Sequence, residues 1–313
     1  MAERGLLFLV AAMILASTVC TTAQVQYQRE VDVVPGEEDI GGGYKTPSVQ
    51  RPRPRASWWG AVDVCLLMTA LGLSSWIVLR QRSRKGFVAL TIFCLWYFGF
   101  HRQGCVCPIG AIQNAAVVLT HPALTIPLVV ILFFLLPLVL ALLFGRVFCG
   151  GVCPLGAIQE LVLLKPLQVP RTLDRTLGLL KYIYLCIAVY FAVQPAAHRD
   201  FIICRFDPFV GMFRFNGPAG ILMFGGALLI LGIFVGRPYC RYLCPYGALL
   251  SILSRVTWRG VTLRGNKERD CGLCVTACPY GAIENMRVVP SSCLFCARCF
   301  NVCPAEADEE NSG

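Results

Sequence analysis

Five apolar stretches, at residues 58–79, 86–101, 122–145, 177–196 and 219–236, dominate this chain. Each is close to the ~20 residues needed to cross a hydrocarbon core of ~30 Å. The expected fold class is therefore an all-α polytopic membrane protein with five to six transmembrane helices. A chain of 313 residues has room for two soluble domains, but 56% hydrophobic and only 15% charged residues exclude that reading. The formal charge of +10 does not point to nucleic acid. Basic residues sit singly or in short runs between apolar segments, where membrane topology explains them.

Residues 1–23 have the three-part layout of an export signal: Met-Ala-Glu-Arg, an apolar stretch from Gly5 to Ala16, then Ser-Thr-Val-Cys-Thr-Thr-Ala. The segment is either cut after Ala23 or kept as an anchor. Cys20 is an ordinary signal-region cysteine, because Val19 before it is larger than a lipoprotein signal usually tolerates. Residues 24–56 carry Gly41-Gly42-Gly43, Arg51-Pro-Arg-Pro-Arg55 and few apolar groups, the composition of a flexible exported leader. The run Arg80-Gln-Arg-Ser-Arg-Lys85 has four positive charges, whereas the loop 102–121 holds Arg102 alone, which puts residues 80–85 in the cytoplasm. Counting onward places 102–121 and 197–218 outside, and 146–176 and everything after Gly236 inside. The expected location is a bacterial inner (plasma) membrane, multi-pass, with a cytoplasmic C-terminus. The basic Arg51–Arg55 run runs against an exported leader, and the preceding signal is taken to commit it to export.

Three strings repeat. Gly99-Phe-His-Arg-Gln-Gly-Cys-Val-Cys107-Pro-Ile-Gly-Ala aligns with Gly145-Arg-Val-Phe-Cys149-Gly-Gly-Val-Cys153-Pro-Leu-Gly-Ala and with Gly236-Arg-Pro-Tyr-Cys240-Arg-Tyr-Leu-Cys244-Pro-Tyr-Gly-Ala. Copies two and three carry C-x-x-x-C-P, in which cysteines four apart share a helical face and the proline opens the next helix. Cys149, Cys153, Cys240 and Cys244 are thus candidates for one four-thiolate centre at the cytoplasmic membrane boundary. Copy one has Gln103 in place of the first cysteine and offers Cys105 instead. Burial as small packing residues is the bland alternative, and repetition of the whole string argues against it.

Near the C-terminus, Cys293-x2-Cys296-x2-Cys299-x3-Cys303-Pro is the bacterial ferredoxin run, in which three thiolates hold one 4Fe-4S cluster and the fourth crosses to a neighbour. Upstream, Cys271-x2-Cys274-x3-Cys278-Pro matches its last three positions, and the missing first cysteine falls on Glu268. By the crossing rule one cluster takes Cys293, Cys296, Cys299 and Cys278. The other keeps Cys271, Cys274 and Cys303 and lacks one protein thiolate. Glu268, Asp270, water, an outside ligand or a three-iron (3Fe-4S) centre are the alternatives there. Zinc accounts for C-x2-C pairs but not for the third and fourth cysteines with proline. A small α+β two-cluster ferredoxin domain at 261–313 follows.

These residues resemble the membrane polyferredoxin family that includes NapH, the C-terminal half of NosR, and CcoG, over roughly residues 58–304. The resemblance implies a transmembrane electron-transfer domain at 57–260, and transfer from the quinone pool or cytosolic donors towards an exported reductase or FMN-binding partner. The chain departs from the family in the extra copy at Cys105/Cys107 and the incomplete Cys271 motif. The leader is too short for an FMN-binding domain and the chain has no Ser-Gly-Ala-Thr attachment string, so FMN belongs to a partner. The rival readings are a copper-reducing assembly factor of CcoG type and a cluster-based redox sensor. No acid/base pair, nucleophile or phosphate loop stands out, so no catalytic residue is assigned, and the chain is expected to be an electron-transfer subunit of an oxidoreductase rather than a stand-alone enzyme.

On the expected outer face lie Cys105, Cys107 and Cys204, a candidate second metal site, with Cys65, Cys94, His101, His121 and His198 towards the same side. Cys186 is expected to be a packing residue in the middle of its span. Aromatic residues near the span ends fit an interfacial belt better than a quinone pocket.

Overall fold

The computed structural model describes residues 58–103, 108–120, 128–195, 203, 207–263 and 272–302. The signal and leader expected at 1–56 lie outside these. Helix α1, Trp58–Trp76, continues as a π-helical turn, Ile77–Gln81, into one apolar rod of 24 residues, long enough at about 36 Å to cross a membrane. It ends where Arg82 turns left-handed, at φ 54°. Helix α2, Arg84–Cys94, starts at once because Ser83 caps it, its hydroxyl accepting from the Gly86 N–H at 3.3 Å. A second π-helical turn, Leu95–His101, extends α2.

Helices α3 (Pro108–Thr120) and α4 (Leu128–Phe144) follow, then a π-helical turn at Phe148–Val152 and α5 (Pro154–Leu161). Next come α6 (Arg171–Val193), α7 (Pro208–Arg214), α8 (Ala219–Gly232), a π-helical turn at Tyr239–Leu243, and α9 (Pro245–Leu253). Prolines 108, 154, 208 and 245 each occupy the first helical position, where a missing N–H costs nothing and the fixed φ suits the turn. The repeated Cys-Pro string is therefore a helix-start signal in all three copies.

The segments at 58–79 and 177–196 correspond to α1 with its extension and to the 23-residue α6, both long and apolar enough to cross a membrane. The segment at 219–236 reaches that length only with α7, and α7 and α8 meet at 101°. The segment at 122–145 is described from Leu128 as a 17-residue apolar helix containing Pro137. The segment at 86–101 is the 11-residue α2 and its 7-residue extension, with charged residues at its start. The described residues thus hold two candidate spans, or three if the bent pair is one. The stretch 102–121, expected as a loop, contains α3, which packs against α4 and α6. Proline and glycine punctuation shortens the helices while leaving the average hydropathy high. Cys186 is exposed on α6, not packed.

The C-terminal part contributes α10 (Leu273–Ala277), a hairpin of β1 (Ile283–Glu284) and β2 (Arg287–Val288), and α11 (Arg298–Asn301). The strands pair antiparallel, Ile283 with Val288 and Glu284 with Arg287. Asn285 and Met286 between them have φ 49° and 59°, the left-handed pair that a two-residue hairpin turn demands. One apolar core runs from α1 through the repeat turns into this part and includes Leu71, Phe87, Val152, Tyr246, Tyr280, Leu294 and Phe295. The leading glycines of repeat copies two and three sit at that join. A Cβ on Gly145 would lie 2.9 Å from the Phe295 ring, and one on Gly236 would lie 2.8 Å from the Tyr280 ring. The repeat keeps glycine there because an aromatic ring from the C-terminal part rests on each.

Candidate metal centre

Copies two and three place Cys149, Cys153, Cys240 and Cys244 in two short turns, all buried. Burial pushes the Cys153 thiol well up, and the sulfurs of Cys240, Cys149 and Cys244 add to it, so the four lie within electrostatic reach of one another. Burial also raises the Cys240 thiol, to about 12, with Cys149 adding. Residues flanking the two turns donate to the sulfurs. The Gly247 N–H donates to Cys244 Sγ at 3.3 Å, Gln159 Nε2 to Cys240 Sγ at 3.4 Å, and an Arg146 guanidinium nitrogen lies 3.9 Å from Cys149 Sγ. Such bonds favour the thiolate that a metal requires.

A second set gathers in the C-terminal part. Cys278, Cys293, Cys296 and Cys299 line one cavity, walled by Val78, Val261, Leu294, Phe295 and Phe300. Burial pushes the Cys293, Cys296 and Cys299 thiols up, and the neighbouring sulfurs, Cys278 among them, add to each. Phe295 and Ala297 adopt left-handed φ of 53° and 57°, which winds the loop around the cavity. Peptide N–H groups of Phe295 and Arg298 then donate to Cys293 and Cys296, and Ala282 donates to Cys278 Sγ at 3.4 Å. An apolar cradle with four thiols and inward-pointing peptide donors fits a cubane cluster, whose corners spread the sulfurs apart. Among the described residues, no three His, Cys, Asp or Glu side chains converge as the ligands of a single metal ion do. None of the described cysteines is disulfide-bonded.

The two sets meet backbone to backbone. A Cβ on Gly150, between Cys149 and Cys153, would lie 2.3 Å from the Leu294 carbonyl oxygen, between Cys293 and Cys296. Only glycine allows that approach. Beside it sits Glu160 on α5, which the sequence reading did not single out. It is 3% exposed and pairs with Arg84, with Arg237 at 3.0 Å and with Arg298 at 3.1 Å, while the Tyr280 hydroxyl donates to it. Burial alone would raise its pKa, but the three guanidinium groups hold it down to about 2. Arg84 also donates to the Cys296 carbonyl, and Arg237 to the carbonyls of Cys149 and Gly150.

Asp63 on α1, fully buried, is a further acid that the sequence reading did not single out. It accepts from the Tyr97 hydroxyl at 2.8 Å and pairs with Arg102. A lone carboxylate in an apolar span was the available signal. Cys274 is buried on α10, while Cys271, Cys303, Glu268, Asp270, Cys105, Cys107, Cys204, His121 and His198 lie outside the described residues. The flanks of the outer cysteines nevertheless echo the inner site. Gln113 accepts from the Ile203 N–H, one residue before Cys204, as Gln159 accepts from the Tyr239 N–H, one residue before Cys240. Cys65 is half-buried and Cys94 buried, and His101 stacks on Tyr97 at 5.3 Å.

Comparison with known proteins matches parts of this chain to iron–sulfur families. A 4Fe-4S binding domain family matches residues 125–167 and 216–266, which contain the two C-x-x-x-C-P motifs. Another 4Fe-4S binding domain family matches residues 270–284. Protein NirI of Paracoccus denitrificans is 34% identical over 236 residues, covering 71% of this chain and 34% of that protein. Regulatory protein NosR of Pseudomonas aeruginosa is 30% identical, covering 75% and 35%. Ferredoxin-type protein NapH of Escherichia coli is 28% identical, covering 50% and 59%. The chain spans about a third of the length of the first two relatives. No solved structure matches it.

Proposed function

Because the chain belongs to the membrane-associated polyferredoxin-type family, we propose that it is a membrane-bound electron carrier passing single electrons between two or more iron–sulfur sites. The contact between two four-cysteine sets at Gly150 and Leu294 is the observation that carries this reading. Cys278, Cys293, Cys296 and Cys299 would hold one 4Fe-4S cluster, and Cys149, Cys153, Cys240 and Cys244 another. Cys271, Cys274 and Cys303 would hold a third site one thiolate short, whether of 4Fe-4S or 3Fe-4S type. A cluster bound at such sites supplies one-electron transfer: one site loses the electron that the next gains, and no covalent bond is made or broken. The protein fixes the spacing between sites, keeps water away from the thiolates and donates hydrogen bonds to them. Tunnelling falls off exponentially with distance, so touching ligand loops favour a relay.

The donors in this reading are quinol or a cytoplasmic carrier, and the acceptor is an exported FMN-binding protein or reductase across the lipid, with Cys105, Cys107 and Cys204 towards the exit side. Iron analysis tests the inner site. In full-length protein, Cys153→Ser together with Cys244→Ser should lower bound iron by about four atoms and leave ferredoxin-type signals in place. Unchanged iron would leave these cysteines as packing residues and sink the inner site.

The orientation proposed is a bacterial inner membrane with the C-terminus in the cytoplasm, five to six spans, and a ferredoxin fold at the C-terminus. Alkaline phosphatase fused after Gly217 should be active, and fused after Asn311 inactive. The reverse pattern would invert the side assigned to every cysteine group.

A further inference from the structure

Glu160 occupies an unusual electrical position. Its helix, α5, is the one opened by Cys153-Pro154, so its carboxylate is fixed relative to the inner cysteine set. Its partners come from three separate places: Arg84 at the start of α2, Arg237 within repeat copy three, and Tyr280 and Arg298 from the C-terminal part. Arg84 reaches on to the Cys296 carbonyl and Arg237 to the Cys149 carbonyl. One hydrogen-bonded chain, arginine to carboxylate to arginine, thus joins the backbones of both ligand loops. Three guanidinium groups against one carboxylate leave surplus positive charge in a buried space between them. Packing alone does not require a charge there, and burying the ionised Glu160 and Arg237 is costly unless each is paired.

We propose that Glu160 is a positioning residue that sets the reduction potentials of the two cysteine sites by offsetting the surplus charge of Arg84, Arg237 and Arg298. The inference rests on the reading of both sets as cluster sites and adds to it the group that balances them. Reduction makes a site more negative, so nearby positive charge favours the reduced state and negative charge opposes it. Neutralising Glu160 therefore makes both sites easier to reduce, and neutralising one arginine makes them harder to reduce. A unit charge in such surroundings shifts the equilibrium on the order of tenfold, which for one electron is about 59 mV.

The test is a redox titration of purified full-length protein in detergent, followed by low-temperature EPR, with iron measured on each sample. Glu160→Gln should raise the midpoint potentials and Arg298→Gln should lower them, both with iron content retained. Arg298→Lys, which keeps the charge, should stay close to the parent. If Glu160→Gln fails to assemble, the Arg298→Gln and Arg298→Lys pair decides by itself. Midpoints that stay put in iron-replete variants, or that move the same way for both charge changes, would overturn the inference and leave Glu160 a structural clamp. Parent protein without EPR-active iron would overturn the cluster reading beneath it, a result plainly different from iron-loaded variants with unmoved potentials.

Discussion

Cys278→Ser is expected to extinguish the same low-temperature EPR signal as Cys296→Ser, and Cys274→Ser a different one. Cys278 lies in the upstream motif, fifteen positions before Cys293, and its nearest cysteine in sequence is Cys274. In space it faces the downstream run: it lines the cavity with Cys293, Cys296 and Cys299, and its sulfur acts on all three thiols. A cubane that loses one of four thiolates in an apolar cradle has no ready substitute, so loss of the signal should be near complete, with about four iron atoms lost. Electron transfer between dithionite and an acceptor dye should fall with it. If Cys278→Ser tracked Cys274→Ser instead, each motif would serve its own cluster, and the crossed ligation would be wrong.

Asp63→Ala should strongly destabilise the membrane part. The carboxylate is fully buried and joins α1 to the end of the α2 extension through Tyr97 and Arg102. Truncating it strands the Arg102 charge, whose side chain is 17% exposed, and the Tyr97 hydroxyl. Removing one partner of a buried pair costs about 3–5 kcal/mol, and the partial exposure of Arg102 argues for the lower end. The expected result is a sharply lower thermal midpoint in detergent and poor yield. Asp63→Leu with Arg102→Met should recover most of the loss, because the two charges disappear together. A double variant no more stable than Asp63→Ala would show that the pair is not what holds these helices.

What was legible in the sequence was what is local in the sequence. The crossing rule of the ferredoxin run grouped Cys278 with Cys293, Cys296 and Cys299, and those four line one cavity. Spacing also paired Cys149 with Cys153 and Cys240 with Cys244, and proline after the second cysteine correctly announced a helix start. Hydropathy found the apolar residues but not how they divide into helices. An average over ~20 residues does not register Pro108 or Pro208 beginning new helices within or beside a stretch. Glu160 was beyond reach for a different reason. Its partners lie 76, 77, 120 and 138 residues away, and no short pattern records such an encounter. Asp63 did leave a trace, as the one acid in the stretch 58–79.

Copies two and three also reach into one another. A Cβ on Gly156 would lie 3.0 Å from an Arg237 guanidinium nitrogen, and one on Gly247, its counterpart, would lie 3.3 Å from an Arg146 nitrogen. Each arginine follows the leading glycine of its own string and lodges against the Cys-Pro-x-Gly helix of the other. Reciprocal contacts of this kind are what a two-fold axis makes between identical subunits. A single ancestral unit with one C-x-x-x-C-P turn would gather four thiols by pairing with itself. Gene duplication and fusion would then free each half to diverge, and the asymmetry is visible now: Gln159 and Glu160 occupy positions where copy three has Leu250 and Ser251.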